Sequence, residues 1–182
     1  AKHLIKRGVG AVVSGDLSND EDLFRLIEEI HDHELVEKSG GIDLLIHNAS
    51  IYHEEDFSTI TPQELRRFTS IHLDAPFFMT QGLVPKIKQK KGSIIGIVDT
   101  SWGQSWENLS HYTATKAALR QLLINLSGEL APEIRVNGIA PGAILAAAWE
   151  KDRFEEVLKQ VPMGRAGSPD DIANAVKFLA DA

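Results

Sequence analysis

Brief apolar runs alternate with longer amphipathic stretches along most of this chain. Gly10 to Ser14, Ile42 to His47, Ser93 to Val98 and Arg135 to Ile139 are short and almost continuously apolar, the pattern of buried strands. Between the first two, Leu23, Phe24, Ile27, Ile30 and Leu35 recur at helical spacing and predict a helix from Asp20 to Lys38. Thr61-Pro62-Gln63-Glu64 supplies a capping hydroxyl, a proline in the first turn and a glutamate at the third helical position. The helix it opens is expected to run to about Lys90, with Pro76 and Pro85 kinking or dividing it. Further helices are predicted from about Ser110 to Leu130, from Asp152 to Gln160 and from Ser168 to Leu179. Strand–helix alternation of this kind predicts an α/β domain with a parallel, doubly wound sheet flanked by helices.

Composition narrows the functional classes. The 182 residues, 43% of them hydrophobic, suffice for one domain with a substantial core. A formal charge of −7 argues against binding nucleic acid or an anionic membrane through bulk electrostatics. There is no cysteine, hence no disulfide framework and no thiolate metal site. No stretch approaches the roughly 18 consecutive apolar residues of a membrane span, and no signal-peptide pattern opens the chain, so a cytoplasmic protein is expected.

The densest chemistry lies in the segment from Ser93 to Leu119. Tyr112 follows Asp99 by thirteen positions, and Lys116 follows Tyr112 by four. A Tyr and a Lys four apart share a helix face, so the ammonium is placed to stabilise a phenolate and draw its pKa down from the usual ~10. The strand Ser93 to Val98 brings Asp99 to its carboxyl end, where open α/β sheets hold their ligands.

These residues resemble the active site of the short-chain dehydrogenase/reductase family, whose pattern is a Ser followed thirteen residues later by Tyr-x-x-x-Lys. Four further blocks fall in family order: Asp16-Leu17, His47-Asn48-Ala49-Ser50, the run from Arg135 to Leu145, and the run from Pro162 to Ala173. Asp99 stands where most members carry the Ser, and this departure resembles the pteridine reductase branch. The resemblance implies a Rossmann-like fold, a bound NADPH, a small-molecule substrate and assembly as a homotetramer or homodimer. It also implies features that the chain lacks. The family's first strand and glycine-rich turn have no counterpart, because Gly8-Val9-Gly10 precedes a strand instead of following one, and the family's last strand is missing beyond Ala182. In family order the first two strands belong between Gly10–Ser14 and Ile42–His47. The expectation is therefore a single, incomplete dinucleotide-binding domain over residues 1–182, with a gap in its sheet, cut from a longer protein.

The resemblance assigns Tyr112 as proton donor, Lys116 as its modulator and a contact to the cofactor ribose, and Asp99 as the group that orients Tyr112 or hydrogen-bonds a protonated ring nitrogen or amino group. It places Asp16, Leu17, Asn48, Ala49, Ser50, Pro141, Gly142, Ala143 and Ile144 beside the cofactor. Ser50 and Tyr52 meet the substrate, with the Tyr52 ring stacked on a flat heterocycle. His72 takes the place of a family Asn that anchors a water relay behind the Lys; its imidazole either preserves the relay or packs at a subunit interface. Ala146 to Arg153 would form part of a substrate lid, and Trp102 or Trp106 would line the pocket.

His31-Asp32-His33-Glu34 is a solvated helix surface and not a metal site, since residues two apart on a helix face different ways. No metal ligand set is expected. The sequence thus points to an NADPH-dependent reductase of a pterin, dihydropterin or dihydrofolate-type ring. The alternatives are a 3-oxoacyl or other ketone reductase of the same fold, and, in a different class, a non-catalytic assembly subunit.

Overall fold

The computed structural model describes residues 10–147 and 150–182; Gly8 and Val9, and Ala148 and Trp149 at the centre of the expected lid, lie outside them. Helices α1 (Asp20–His31) and α2 (Glu34–Ser39) lead into strand β1 (Leu44–His47). Helix α3 (Pro62–Thr69), a π-helical turn (Ser70–Asp74) and helix α4 (Ala75–Gln89) then run on without a break into the approach to strand β2 (Ser93–Ile97). Helix α5 (Ser110–Glu129), strand β3 (Arg135–Ile139) and helices α6 (Lys151–Gln160) and α7 (Pro169–Asp181) complete the order. The three strands form one parallel sheet in the order β1-β2-β3, with Leu44 opposite Ser93 and Ser93 opposite Arg135.

Several helix ends follow directly from local chemistry. The Asn19 side chain accepts from Asp22 N–H, the Thr61 hydroxyl from Glu64 N–H, and Ser168 closes a reciprocal capping box with Asp171 ahead of Pro169. The single helix expected over Asp20–Lys38 is two, divided at Asp32 and His33. Leu35 lies five residues beyond Ile30, off the face set by Leu23 and Ile27, and the His33 ring accepts from Leu35 N–H to start the second helix. Neither Pro76 nor Pro85 divides the next one. Pro76 has no N–H for the carbonyl of His72 four residues back, and the helix meets that gap by widening into the π turn, where Ala75 N–H bonds the carbonyl of Ser70. Pro85 stays inside α4.

The expected strand at Gly10–Ser14 forms no ladder among the described residues, and Arg25 instead donates to the Ser14 carbonyl at 2.7 Å. Its physical reason is the gap that family strand order implies. A cavity of about 290 Å³ separates this segment from β1, lined by Val13, Leu17, Ile46, His47, Asn48 and Ala49. Among the described residues β1 pairs on one side only, and Ile46 is 41% exposed at that edge.

The core sits between the sheet and helices α4 and α5. Leu83 and Ile87 of α4, Ile94 and Val98, Leu119 and Leu123 of α5, and Ile134 and Val136 form one buried cluster. Burying side chains of this size stabilises by about 1.5–3 kcal/mol each relative to exposure. Gly96 is what lets α5 come this close, because a Cβ there would stand 2.5 Å from Leu123 Cδ1 and 3.1 Å from its Cδ2. Gly96→Ala is expected to cost about 1–3 kcal/mol through overpacking, read as a lower urea midpoint; an unchanged midpoint contradicts the packing described.

Candidate active site

Strand β2 ends at Ile97, and Val98 N–H still reaches the Ile139 carbonyl at 2.8 Å, so Asp99 emerges from a chain held on its β3 side. One Asp99 oxygen accepts from Ser101 N–H at 2.7 Å, which fixes the carboxylate in a tight turn. The other accepts from the Tyr112 hydroxyl at 2.8 Å. Tyr112 and Lys116 lie in the first two turns of α5, both buried, with the Lys116 Nζ 5.9 Å from the phenol ring centroid. Asp99, Tyr112 and Lys116 therefore meet, as their spacing requires.

Their electrostatics differ from the sequence expectation. Burial, then the charge of Asp99 and its hydrogen bond, push the Tyr112 hydroxyl above its ordinary value of 10.0, instead of Lys116 pulling it down. The Lys116 ammonium donates to the Ile97 carbonyl at 2.9 Å, and burial draws its pKa down to about 8 against the opposing pull of Asp99. In this arrangement the phenol holds its proton firmly and donates a hydrogen bond with it to a carboxylate.

Tyr52 packs its ring on Tyr112 with centroids 4.8 Å apart, and its hydroxyl donates to Glu150 Oε1 at 3.3 Å. Burial, followed by Glu150, raises its hydroxyl as well. The ring that was expected to face a heterocycle thus lies against the phenol of Tyr112. Glu150 precedes α6 and accepts from Ala147 N–H at 3.3 Å through its other oxygen, while Arg153 pairs with Glu54. The described part of the lid is in this way tied to the loop that carries Tyr52. Trp106 packs against Phe68, Leu109 and Tyr112, whereas Trp102 stacks beneath Arg120, 4.6 Å away, on another surface.

His72 is fully buried by the π turn and uses both ring nitrogens. Nε2 lies 2.9 Å from Ser50 Oγ and 3.2 Å from Ile51 N, and Nδ1 lies 2.8 Å from Thr115 Oγ1. No hydrogen bond joins it to Lys116. Asn48 and Ala49 follow β1 and, with Leu17, line the cavity described above. The Asp16 carboxylate accepts from the amide and hydroxyl of Ser18, and these bonds hold it below the usual carboxylate range. Of the segment Pro141–Ile144, Ala143 accepts from Gly167 N–H at 2.8 Å, Ile144 packs on Gly167, and the space around Gly142 is open.

Two side chains escaped sequence reasoning, and a third was reached only as part of a segment. Thr115, three residues after Tyr112, had a signal in its helical spacing. Glu150 lay inside the expected lid, Ala146 to Arg153, but its pairing with Tyr52 across 98 positions had no signal. His111 is only 2% exposed, with its ring centroid 4.3 Å from that of Phe68.

A parallel sheet flanked by helices, with a Tyr, a Lys and a carboxylate converging at the carboxyl end of its central strand, is a Rossmann-like arrangement. The comparisons show that fold and a family of oxidoreductases. The whole chain, residues 1–182, matches the family model described as enoyl-(acyl carrier protein) reductase. It is 32% identical over 181 residues to a glucose and ribitol dehydrogenase homolog of Oryza sativa, covering 92% of this chain and 59% of that protein. Identity is 33% over 172 residues to the 3-oxoacyl-[acyl-carrier-protein] reductase of Aquifex aeolicus, covering 92% and 67% respectively. The solved structure of an angucycline C-6 ketoreductase with bound NADP superposes with a TM-score of 0.87 at 27% identity, over 99% of this chain and 72% of that one. The chain belongs to the short-chain dehydrogenase/reductase family, of whose curated relatives named here it spans about three fifths to two thirds.

Two consequences can be measured. The chain has two tyrosines, so phenolate absorbance reports on the pair directly. Asp99→Asn removes the anion that raises both hydroxyls, Tyr112 more than Tyr52, and the phenolate titration is expected to move to lower pH; an unshifted curve contradicts the assignment. For Lys116 the folded pKa of about 8 lies below the free value of 10.5, so the unfolded chain binds more protons between them. Stability from this group is therefore absent below pH 8 and grows toward pH 10.5, by roughly 3 kcal/mol. Lys116→Met is expected to remove that rise from urea unfolding measured across the window.

Proposed function

We propose that the protein is an NADPH-dependent reductase of a pterin, dihydropterin or dihydrofolate-type heterocycle, with residues 1–182 contributing one dinucleotide-binding domain. The observation that carries this reading is the anionic character of the pocket. Asp99 accepts a hydrogen bond from the Tyr112 hydroxyl at 2.8 Å, and Glu150 accepts one from Tyr52, whose ring packs on that of Tyr112. A ketone brings only an acceptor, which must compete with Asp99 for the phenolic proton. A ring with a protonated nitrogen or an amino group brings cationic or N–H partners for these carboxylates instead.

The residues present would hold only part of a dinucleotide, since the glycine-rich turn for its pyrophosphate has no counterpart in this chain. Leu17, Asn48 and Ala49 offer an apolar wall and amides for its adenosine half, and the open backbone at Gly142 leaves room for a flat carboxamide-bearing ring. When bound, a reduced nicotinamide supplies the hydride to a C=N carbon. The chain supplies the rest. Tyr112 gives its proton to the neighbouring nitrogen, Asp99 aims Tyr112, Lys116 leaves the Ile97 carbonyl to contact a ribose hydroxyl and favour the phenolate that remains, and solvent returns the proton to Tyr112 after release. Tyr52 swings from Tyr112 onto the substrate ring, an exchange of one aromatic contact for another worth about 0.5–1.5 kcal/mol.

A ketone or 3-oxoacyl reductase is the second reading, favoured by the 33% identity to the Aquifex aeolicus 3-oxoacyl reductase. Variants of the whole protein separate the two. Tyr112→Phe is expected to lower kcat by about 10²–10⁴-fold while leaving the dissociation constant for NADPH within twofold; retained turnover refutes its role as donor. Asp99→Ser is expected to shift kcat/KM from pterins toward carbonyl substrates. Pterin turnover that survives this exchange unchanged contradicts the role given to the carboxylate.

A further inference from the structure

Each tyrosine of the ring pair has a histidine beside it in the chain, His53 after Tyr52 and His111 before Tyr112. The two imidazoles meet as well, with centroids 5.6 Å apart, so the loop after β1 lies on the start of α5 through two rungs of rings, tyrosine on tyrosine at 4.8 Å and histidine on histidine. Phe68 of α3 closes the second rung, 4.3 Å from the His111 ring and 5.1 Å from that of His53. The two imidazoles differ in how they could carry a charge. His53 is half-buried with its Nε2 3.1 Å from Glu64 Oε1, whereas His111 is buried and, among the described residues, joins no ion pair. Burial lowers the His111 pKa first and the neighbouring His53 second, against Glu64, Glu55 and the His53 main chain. The other charged groups around the rung are Arg67, 3.8 Å from Glu64, and His72 on the π turn, whose own charge His111 disfavours. His111 also sits in the first turn of α5, where the helix dipole opposes a positive charge.

We propose that His53 and His111 are positioning residues that hold Tyr52 on Tyr112, and that a proton taken up by His111 releases the loop after β1, so that the ring pair opens in acid. Helix α5 is fixed by Leu119 and Leu123 in the core, so the loop that covers His111 is the part that yields when the ring needs water. Opening returns His111 toward its ordinary value of 6.5, which the closed rung denies it, and one proton therefore links the two states. As pH falls below 6.5 the ratio of open to closed loop grows by up to about tenfold per unit, until His111 is protonated in both. The inference stands on this packing and not on the reductase reading, since no ligand takes part.

The test uses the whole protein, free of ligand. A nuclear Overhauser cross-peak between the two tyrosine rings, assigned by its loss in Tyr52→Phe, reports the closed pair. The His111 ring is titrated beside it by ¹H–¹⁵N correlation, assigned by its loss in His111→Phe. The cross-peak is expected to be present at about pH 8 and to fade toward about pH 5 as His111 gains its proton, with the Leu119 and Leu123 methyl signals unmoved. In His111→Phe, which keeps a ring against Phe68 and cannot take the proton, it is expected to persist throughout that range. The parent titration decides alone if this variant does not fold. A cross-peak that survives protonation of His111, one that stays at full strength over the whole range, or one that fades equally in His111→Phe overturns the proposal. Loss of the core methyl signals together with the cross-peak also overturns it, because the event would then be global unfolding and not release of the loop.

Discussion

Everything at the site depends on how closely helix α5 lies against strand β2. Gly96 and Leu123 set that approach from the sheet side, and the helix then presents Tyr112, Thr115 and Lys116 in sequence to three different partners. Tyr112 reaches the carboxylate that follows the strand, Lys116 reaches the strand's last carbonyl, and Thr115 reaches back to His72 on the π turn. A shift of one turn in α5 would separate all three pairs together. The burial that holds the helix also raises the phenol and lowers the ammonium, so packing and proton affinity share one cause.

The resting arrangement stores the proton instead of releasing it. Two tyrosine hydroxyls donate to two carboxylates, Tyr112 to Asp99 and Tyr52 to Glu150, and each anion keeps its phenol protonated. On the proposed reading a positively charged or N–H-rich ligand would be the trigger, because it would compete for the carboxylates and free the phenol to act. A cofactor ribose that draws Lys116 from the Ile97 carbonyl would act in the same sense. Chemistry would then await assembly of the full complex.

The sequence disclosed what short-range periodicity and spacing encode. Strand Arg135–Ile139 matches its expectation at both ends, and the start of α5 at Ser110 follows from the same pattern. Asp99, Tyr112 and Lys116 could be brought together from their spacing because one strand end and one helix fix all three. Strand order also foretold the gap beside β1, and the unpaired Gly10–Ser14 segment is its consequence. Illegible were features that depend on what is opposite. The π turn arises where Pro76 withholds a donor from His72, yet proline at that position reads equally as a kink. Glu150 enters across 98 positions, and the direction of the Tyr112 shift depends on how deeply Asp99 and the phenol are buried together, which spacing does not reveal.

The central claim is that the anionic pocket suits a donor-rich heterocycle better than a carbonyl. Oxidation of NADPH by the whole protein, followed with dihydrobiopterin, dihydrofolate and an acetoacetyl thioester side by side, tests it most directly. Turnover with a pterin or folate at kcat/KM well above that for the thioester is the expected result. Turnover with the thioester alone would contradict it and leave Asp99 in the service of a ketone reductase.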